Sequence, residues 1–174
     1  MKEYSREEKR ELSKRYNNGE FELFSKEEKL ALALWQVEIL NKNSNLDHVR
    51  EAWEKWNKLS KVLIVELLQE SIEIPTNKGM RKVLNISGNT ATICKECNGT
   101  KINYQKKDNK CHCIRGWFWD NELKVISEEE YKKRASRKYF KILKKKRLLT
   151  RYSEEELLKM NMKDFLYITK ITTL

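Results

Sequence analysis

Four short phrases of one kind divide the chain, each made of an apolar residue, a serine and a glutamate three positions after that serine. They begin at Tyr4, Phe24, Ile126 and Tyr152. In such a capping box the serine hydroxyl accepts a hydrogen bond from a backbone amide of the first helical turn, and the glutamate accepts one from the amide of the serine. Acidic side chains also meet the positive end of the helix dipole. The pattern therefore predicts four helix starts.

Apolar residues that recur every three or four positions predict helices at 6–16, 26–41, 46–71, 128–148 and 154–161. The second of these helices is apolar on all sides, because Leu30 and Leu34 lie on one side and Leu32 and Trp35 lie nearly opposite. Such a helix belongs inside a bundle or at a subunit interface. We therefore expect a helical body, and a homodimer formed through the N-terminal helices.

The pattern changes between about 80 and 126. Short runs of β-branched and aromatic residues at 90–93, 100–104 and 117–119, separated by Gly and Asn turns, predict strands. The expected fold class is α+β: a mainly helical body, a small β-hairpin module and then a basic helix. We expect domains at 1–76, 77–126 and 127–174, and we expect the helical body to fold without the β module.

Composition predicts a soluble protein of the cytoplasm. The longest apolar run, at 30–35, is too short to cross a bilayer, and the N-terminal sequence is charged from Lys2 onward without a signal peptide's apolar region. All four cysteines lie in one segment, which leaves none for a disulfide framework spread along the chain. We expect no membrane partner, and a host-cell cytoplasmic location if a phage encodes the protein.

Charge is distributed unevenly along the chain. Residues 1–70 carry 13 Lys and Arg against 14 Asp and Glu, whereas residues 71–174 carry 24 against 12, within a total net charge of +11. The C-terminal half therefore produces the electrostatic field that attracts polyanions. Part of the lysine content also fits the Lys, Asn and Ile usage of an AT-rich genome.

The four cysteines form two pairs, Cys94-x2-Cys97 and Cys111-x-Cys113, at opposite ends of a predicted hairpin. A hairpin brings two such pairs together, and four thiolates provide the tetrahedral ligand set of a structural zinc. We predict one structural Zn²⁺ bound by these four cysteines. Three neighbouring cations are expected to offset the negative charge of the site: Lys95, Lys110 and Arg115.

Other interpretations of the cysteine segment stay open. His112 is an alternative ligand, because the second pair has only one intervening residue. A redox CxxC normally starts a helix in a thioredoxin-like βαβ pattern, which the sequence lacks. A catalytic zinc keeps an open coordination position, which four thiolates would close. Ordinary reduced thiols are the remaining alternative.

The segments Cys94-Lys-Glu-Cys97-Asn-Gly99-Thr and Cys111-His-Cys113-Ile-Arg-Gly116 resemble the CxxCxG halves of DnaJ-type cysteine-rich zinc modules. The second half departs from that pattern, because its cysteines are closer together and its glycine comes later. The resemblance implies a structural zinc that takes two cysteines from each half, here Cys94 and Cys97 with Cys111 and Cys113.

Residues 131–152 contain eleven Lys and Arg and no acidic residue. On a helix, the apolar positions fall on one side: Tyr131, Ala135, Tyr139, Ile142 and Leu143. The opposite side is a basic arc: Lys133, Arg134, Arg137, Lys138, Lys141, Lys144 and Lys145. A helix of this kind packs through one face while the other follows phosphates, so we predict a nucleic acid, a nucleoprotein or an acidic protein surface as partner. A membrane surface is disfavoured, because the apolar side lacks a strong Leu and Phe face.

Three aromatic residues follow the last cysteine. If 117–119 is a strand, Trp117 and Trp119 share one face and Phe118 lies on the other. Aromatic side chains beside cations stack on single-stranded nucleic acid, which makes Arg115, Trp117 and Trp119 candidates for the partner surface. The favoured alternative is that the rings form the core of the small module, because exposed tryptophan is uncommon.

The sequence shows no catalytic motif. It has no Gly-rich phosphate loop and no G-x-S-x-G, its four aspartates are scattered, and His48 reads as a surface or packing residue. We therefore expect a non-enzymatic, zinc-stabilised protein that binds nucleic acid or a nucleoprotein. Its size and composition resemble those of small regulators and inhibitors of phages and mobile elements. The alternative is a protein-directed inhibitor of a host nucleic-acid machine, anti-CRISPR-like or polymerase-binding.

Overall fold

The computed structural model describes residues 2–41, 47–101, 111, 113 and 115–171. The helices among these are α1 (Arg6–Asn17), α2 (Lys26–Asn41), α3 (Asp47–Glu70), α4 (Glu128–Lys146), α5 (Glu154–Lys159) and α6 (Met162–Ile171), with a 3-10 helix at Glu20–Leu23. The strands are β1 (Ile74–Thr76), β2 (Gly79–Arg81), β3 (Val83–Ile86), β4 (Asn89–Ile93) and β5 (Trp117–Trp119). The predicted fold class, α+β and mainly helical, is confirmed.

The five predicted helices are present, because their start signals are local. At Ser5, Ser25 and Ser153 both hydrogen bonds of the capping box form. At Ser127 only the serine half forms, with the Glu130 amide donating to the serine hydroxyl at 3.1 Å. The Glu130 carboxylate instead accepts from Nε of Arg134, at 2.6 Å. A basic residue one turn later therefore competes with the cap for this glutamate.

Several elements were missed by the sequence analysis. Pro75 and Gly79, which follow the predicted helix at 46–71, lie in the β1–β2 hairpin, where Pro75 pairs with Met80. The β3–β4 hairpin turns at Ser87 and Gly88, both with positive φ, so the Ser-Gly dipeptide was a usable signal. Helix α6 was also missed. The predicted strand at 100–104 lies outside the described residues, except for Thr100 and Lys101, which are not in a strand.

The described chain divides into two compact units. Unit 1 is Met1–Glu73 with Lys82–Asn121, and unit 2 is Ile74–Arg81 with Glu122–Leu174. The core of unit 1 is shared between helices α2 and α3 and the antiparallel sheet β3-β4-β5. Its buried members are Leu30, Leu63, Ile64, Leu68, Leu84, Ile86, Ala91, Ile93 and Trp117. Residues from both the predicted helical domain and the predicted β module thus build one core.

A second cluster in unit 1 explains why α2 is apolar on all sides. Ala31 and Leu32 pack with Leu12 of α1 and with Phe24, while Leu30 faces the core shared with α3. Both sides of α2 are therefore covered within one chain in its first half. Ile39, near the end of α2, is 39% exposed. The homodimer stays a prediction.

Unit 2 has a core of its own. Tyr139 and Leu143 of α4 pack with Leu157 of α5 and Phe165 of α6, and Leu157 and Phe165 are fully buried. The β1–β2 hairpin is joined to the segment before α4, where the amide of Asn77 donates to the Lys124 carbonyl at 2.9 Å. The predicted apolar side of α4 is therefore the side that packs, and its basic side faces away from this core.

No helix in the described parts of the chain has both the length and the apolar character needed to cross a membrane.

Candidate metal centre and cationic surface

Four cysteine sulfur atoms lie close together in unit 1. The Sγ atoms of Cys94, Cys97, Cys111 and Cys113 all lie within 4.8 Å of one another. Contacts run between the two pairs, with 3.6 Å from Cys94 Sγ to Cys111 Sγ and 3.4 Å from Cys97 Sγ to Cys113 Sγ. The first three of these residues are buried and Cys113 is partly buried. The grouping predicted from the spacing of the cysteines is therefore present.

These distances fit a tetrahedral metal. A Zn–S bond of about 2.3 Å requires about 3.8 Å between neighbouring sulfur atoms of a regular tetrahedron. The observed sulfur–sulfur distances bracket that value, so small side-chain rotations bring all four sulfurs to bonding distance. The site can hold one metal ion. His112, the alternative ligand, lies outside the described residues.

The first cysteine pair is held by short-range backbone hydrogen bonds. The amide of Asn98 donates to the Cys94 carbonyl at 2.8 Å, and the amide of Thr100 donates to the Cys97 carbonyl at 2.9 Å. The Cys94 amide in turn donates to the Gly116 carbonyl at 2.8 Å, which ties the first pair to the residues after the second. The turn that carries Cys94 and Cys97 is thus fixed by the backbone.

The two glycines of the cysteine segments touch each other. A Cβ atom placed on Gly116 would lie 2.5 Å from the Gly99 carbonyl oxygen and 2.8 Å from the Gly99 Cα. Both residues also have positive φ, at 86° for Gly99 and 81° for Gly116. Glycine is required at Gly116 for both backbone conformation and space, because any side chain would push the two halves of the site apart.

We expect Gly116→Ala to destabilise the protein and weaken metal binding. Left-handed backbone costs an alanine about 1–2 kcal/mol, and the overlap with Gly99 adds about 1–3 kcal/mol. Gly88→Ala is the matched control, because Gly88 has φ 78° but nothing within 4 Å of its added Cβ. Denaturant unfolding and competitive zinc titration measure both variants. Equal losses in the two variants would show that the close approach of the glycines has no energetic role.

The first cysteine turn is fastened to α3. The side chain of Gln69 donates from Nε2 to the Asn98 carbonyl at 3.0 Å, and a Cβ on Gly99 would lie 2.8 Å from Val65 Cγ1. Ile93 and Trp117, which flank the two halves of the site, are both in the core of unit 1. The metal centre is therefore continuous with the main core of unit 1.

The electrostatic environment of the cysteines disfavours a reactive thiol. Burial, together with hydrogen bonds that the Cys113 thiol donates to neighbouring sulfurs, raises the pKa of Cys113 to about 12. Reactive redox cysteines have lowered pKa values, so this environment disfavours a redox pair. A cation unnoticed in the sequence, Lys101, places its Nζ 3.8 Å from Cys113 Sγ and 3.3 Å from the Cys111 carbonyl. Lys101 is positioned to offset thiolate charge.

The basic arc of α4 is at the surface of unit 2. All seven of its residues are exposed: Lys133, Arg134, Arg137, Lys138, Lys141, Lys144 and Lys145. The first two are paired within the helix, Lys133 with Glu129 at 2.7 Å and Arg134 with Glu130 at 2.6 Å. The pKa of Lys133 is raised by its hydrogen bond to Glu129.

The remaining five members of the arc form what we call the cationic surface: Arg137, Lys138, Lys141, Lys144 and Lys145. None of these has a carboxylate partner within the part of the chain that the structure describes. At 1.5 Å of rise per residue they extend over about 12 Å of helix. Acidic residues in the first turn of α4 compensate the charges of Lys133 and Arg134. The positive charges of the cationic surface have no such compensation among the described residues.

The three aromatic side chains of strand β5 are divided between the core and the surface. Trp117 and Trp119 share a face, as predicted, with ring centroids 5.0 Å apart at an interplanar angle of 88°. Trp117 is only 3% exposed and lies in the core, whereas Phe118 and Trp119 are each 42% exposed. Arg115 is exposed, with its guanidinium 5.7 Å from the centroid of Trp117. On this strand Phe118 and Trp119 are the rings that a partner can reach.

His48 is exposed on the first turn of α3, which agrees with its interpretation as a surface residue.

Comparisons with models of known protein families, with curated proteins and with solved structures gave no match. The likeness to DnaJ-type modules therefore rests on the two cysteine segments alone.

Proposed function

We propose that this protein is a non-enzymatic, zinc-stabilised protein that binds nucleic acid through the cationic surface of α4. The observation that carries the proposal is the arrangement of α4 itself. One face is buried against α5 and α6, and the other carries five cations without carboxylate partners among the described residues. A rigid row of cations is suited to the regularly spaced phosphates of nucleic acid.

The four-cysteine site supports the non-enzymatic part of this proposal. Zinc is the ion we assign to the four cysteines, because a closed tetrahedral set of thiolates is typical of structural zinc. In this role the ion braces the β4–β5 end of unit 1 and has no position for a substrate. We infer that the protein acts by binding and has no catalytic centre of its own.

A protein-directed role is the second candidate, favoured by a groove in unit 1. The groove has a volume of about 440 Å³ and is lined by Tyr16, Phe21, Trp56, Leu59 and Val62, with Lys55 and Lys58 at its rim. Apolar grooves with cations at the edge suit an acidic amphipathic segment of another protein. A protein inhibitor of a nucleic-acid machine would use such a surface.

Capture of partners from a lysate, with and without nuclease, tests the proposal. We expect the full-length tagged chain to retain nucleic acid, and any captured proteins to be lost after nuclease treatment. Direct binding of purified chain to labelled duplex and single-stranded oligonucleotides at physiological salt provides the quantitative check. Capture of a defined protein that resists nuclease, together with no binding to naked nucleic acid, would overturn the proposal in favour of the second candidate.

A further inference from the structure

The turn after α4 exposes two leucines inside the most basic stretch of the chain. Leu149 is 98% exposed and Leu148 is 52% exposed, and we call these two residues the apolar turn. They follow Lys144–Arg147 and precede Arg151. Burial of these two adjacent side chains by a partner would stabilise the complex, and apolar patches surrounded by polar residues are typical of interaction sites.

The apolar turn is ordered by its own hydrogen bonds. Arg147 adopts left-handed backbone, with φ 56°, at a position that glycine usually occupies. This conformation lets the amide of Leu148 donate to the Leu143 carbonyl at 2.9 Å. On the other side, the amide of Tyr152 donates to the Thr150 hydroxyl at 3.2 Å. The leucines are therefore held outward beside the last turn of α4, next to the end of the cationic surface.

We propose that the apolar turn is a wedge that enters a base step of duplex DNA bound by the cationic surface. This inference rests on the proposed function and names its ligand. A duplex has phosphates on its outside and apolar stacked bases between them. The cationic surface can bind the phosphates while the apolar turn contacts the bases. Proteins that kink DNA insert aliphatic side chains between base steps in this way.

The same surface is less suited to the other polyanions. Single-stranded nucleic acid is held by aromatic stacking, but the two rings in the middle of α4, Tyr139 and Phe140, pack in the core of unit 2. A membrane surface requires a wide apolar helix face, and the apolar face of α4 is already buried against α5 and α6. Two leucines at the end of a row of cations fit insertion at one point of a duplex.

The test uses the full-length chain and short duplexes that carry 2-aminopurine at TA or CA steps, which unstack most readily. Unstacking raises 2-aminopurine fluorescence, and anisotropy of an end label reports binding separately. We expect fluorescence to rise on binding of the native chain, and Leu149→Ala to abolish that rise and weaken binding about tenfold. Leu149→Met should preserve most of the rise. Leu23→Ala is the control, because Leu23 is also exposed, at 76%, but lies in unit 1.

The possible results separate the inference from the function on which it rests. Duplex binding without a fluorescence rise at any step, or equal effects of Leu149→Ala and Leu23→Ala, would overturn the wedge and leave the proposed function standing. Failure of the native chain to bind any duplex would overturn both. Binding to phosphatidylserine vesicles that Leu149→Ala abolishes, with duplex binding unchanged, would assign the turn to a lipid surface and overturn the wedge.

Discussion

Removal of the metal is expected to unfold unit 1 and leave unit 2 folded. In small zinc modules the ion contributes an apparent ~10–16 kcal/mol near neutral pH, which is comparable with the whole stability of a domain. Ile93 and Trp117 connect the cysteine turns to the core that α2 and α3 share with the sheet. Loss of the ion, or Cys97→Ser, should therefore loosen α2 and α3 as well as the strands. Unit 2 has a separate core and should keep its protection.

Elemental analysis should first find one zinc per chain in protein purified without chelators. Hydrogen exchange followed by mass spectrometry, before and after treatment with a chelator, then locates the unfolding. Chelator already saturated with zinc is the control, and added zinc should restore protection. If the purified protein contains no metal, the zinc assignment is wrong. Unchanged protection of α2 and α3 after metal loss would instead show that the helical body folds by itself, as expected from the sequence.

Charge reversal on the cationic surface is expected to have the largest effect on binding. In the triple variant Lys138→Glu, Lys141→Glu and Lys145→Glu, each lost phosphate contact removes about 1 kcal/mol, so affinity should fall at least ~100-fold. The slope of log affinity against log salt should flatten by about 0.9 for each lost contact with duplex DNA. All sequences should be affected alike, because phosphate contacts carry no base information. Anisotropy titrations over a salt series measure both quantities.

A matched control is available on α3. Reversal of Lys55, Lys58 and Lys61 changes the net charge by the same amount, but it acts on unit 1. If nucleic acid binds at α4, this control should retain most of its affinity and salt slope. Equal losses in the two triple variants would mean that net charge, and no particular surface, drives binding. Loss of a protein partner in the control alone would favour the protein-directed role.

Local sequence signals were sufficient for helices α1 to α5 and for the grouping of the cysteines. Capping boxes act within four residues, so the helix starts at Arg6, Lys26, Glu128 and Glu154 were predictable. The spacing of the cysteines predicted the four-cysteine cluster that can hold a metal, because it restricts each pair to one turn. The side of α4 that packs followed from its apolar periodicity in the same way.

Short strands were harder to predict from the sequence. Strands β1 and β2, which were not predicted, have only three residues each, too few to show an alternating pattern. Pro75 and Gly79 are also typical of chain breaks, and only the backbone pairing of Pro75 with Met80 and of Thr76 with Gly79 shows that they belong to a hairpin. The single hairpin signal that was overlooked, Ser87-Gly88, is local and could have been used.

By itself the sequence determined where helices begin, which cysteines form pairs and where positive charge accumulates, because each of these depends on neighbours within one or two turns. Only the tertiary structure decided which of two similar residues has which role. It buried Trp117 and left Trp119 at the surface, and it brought Gly116 against Gly99. Burial and close approach are set by residues far apart in the chain, and no local pattern carries that information.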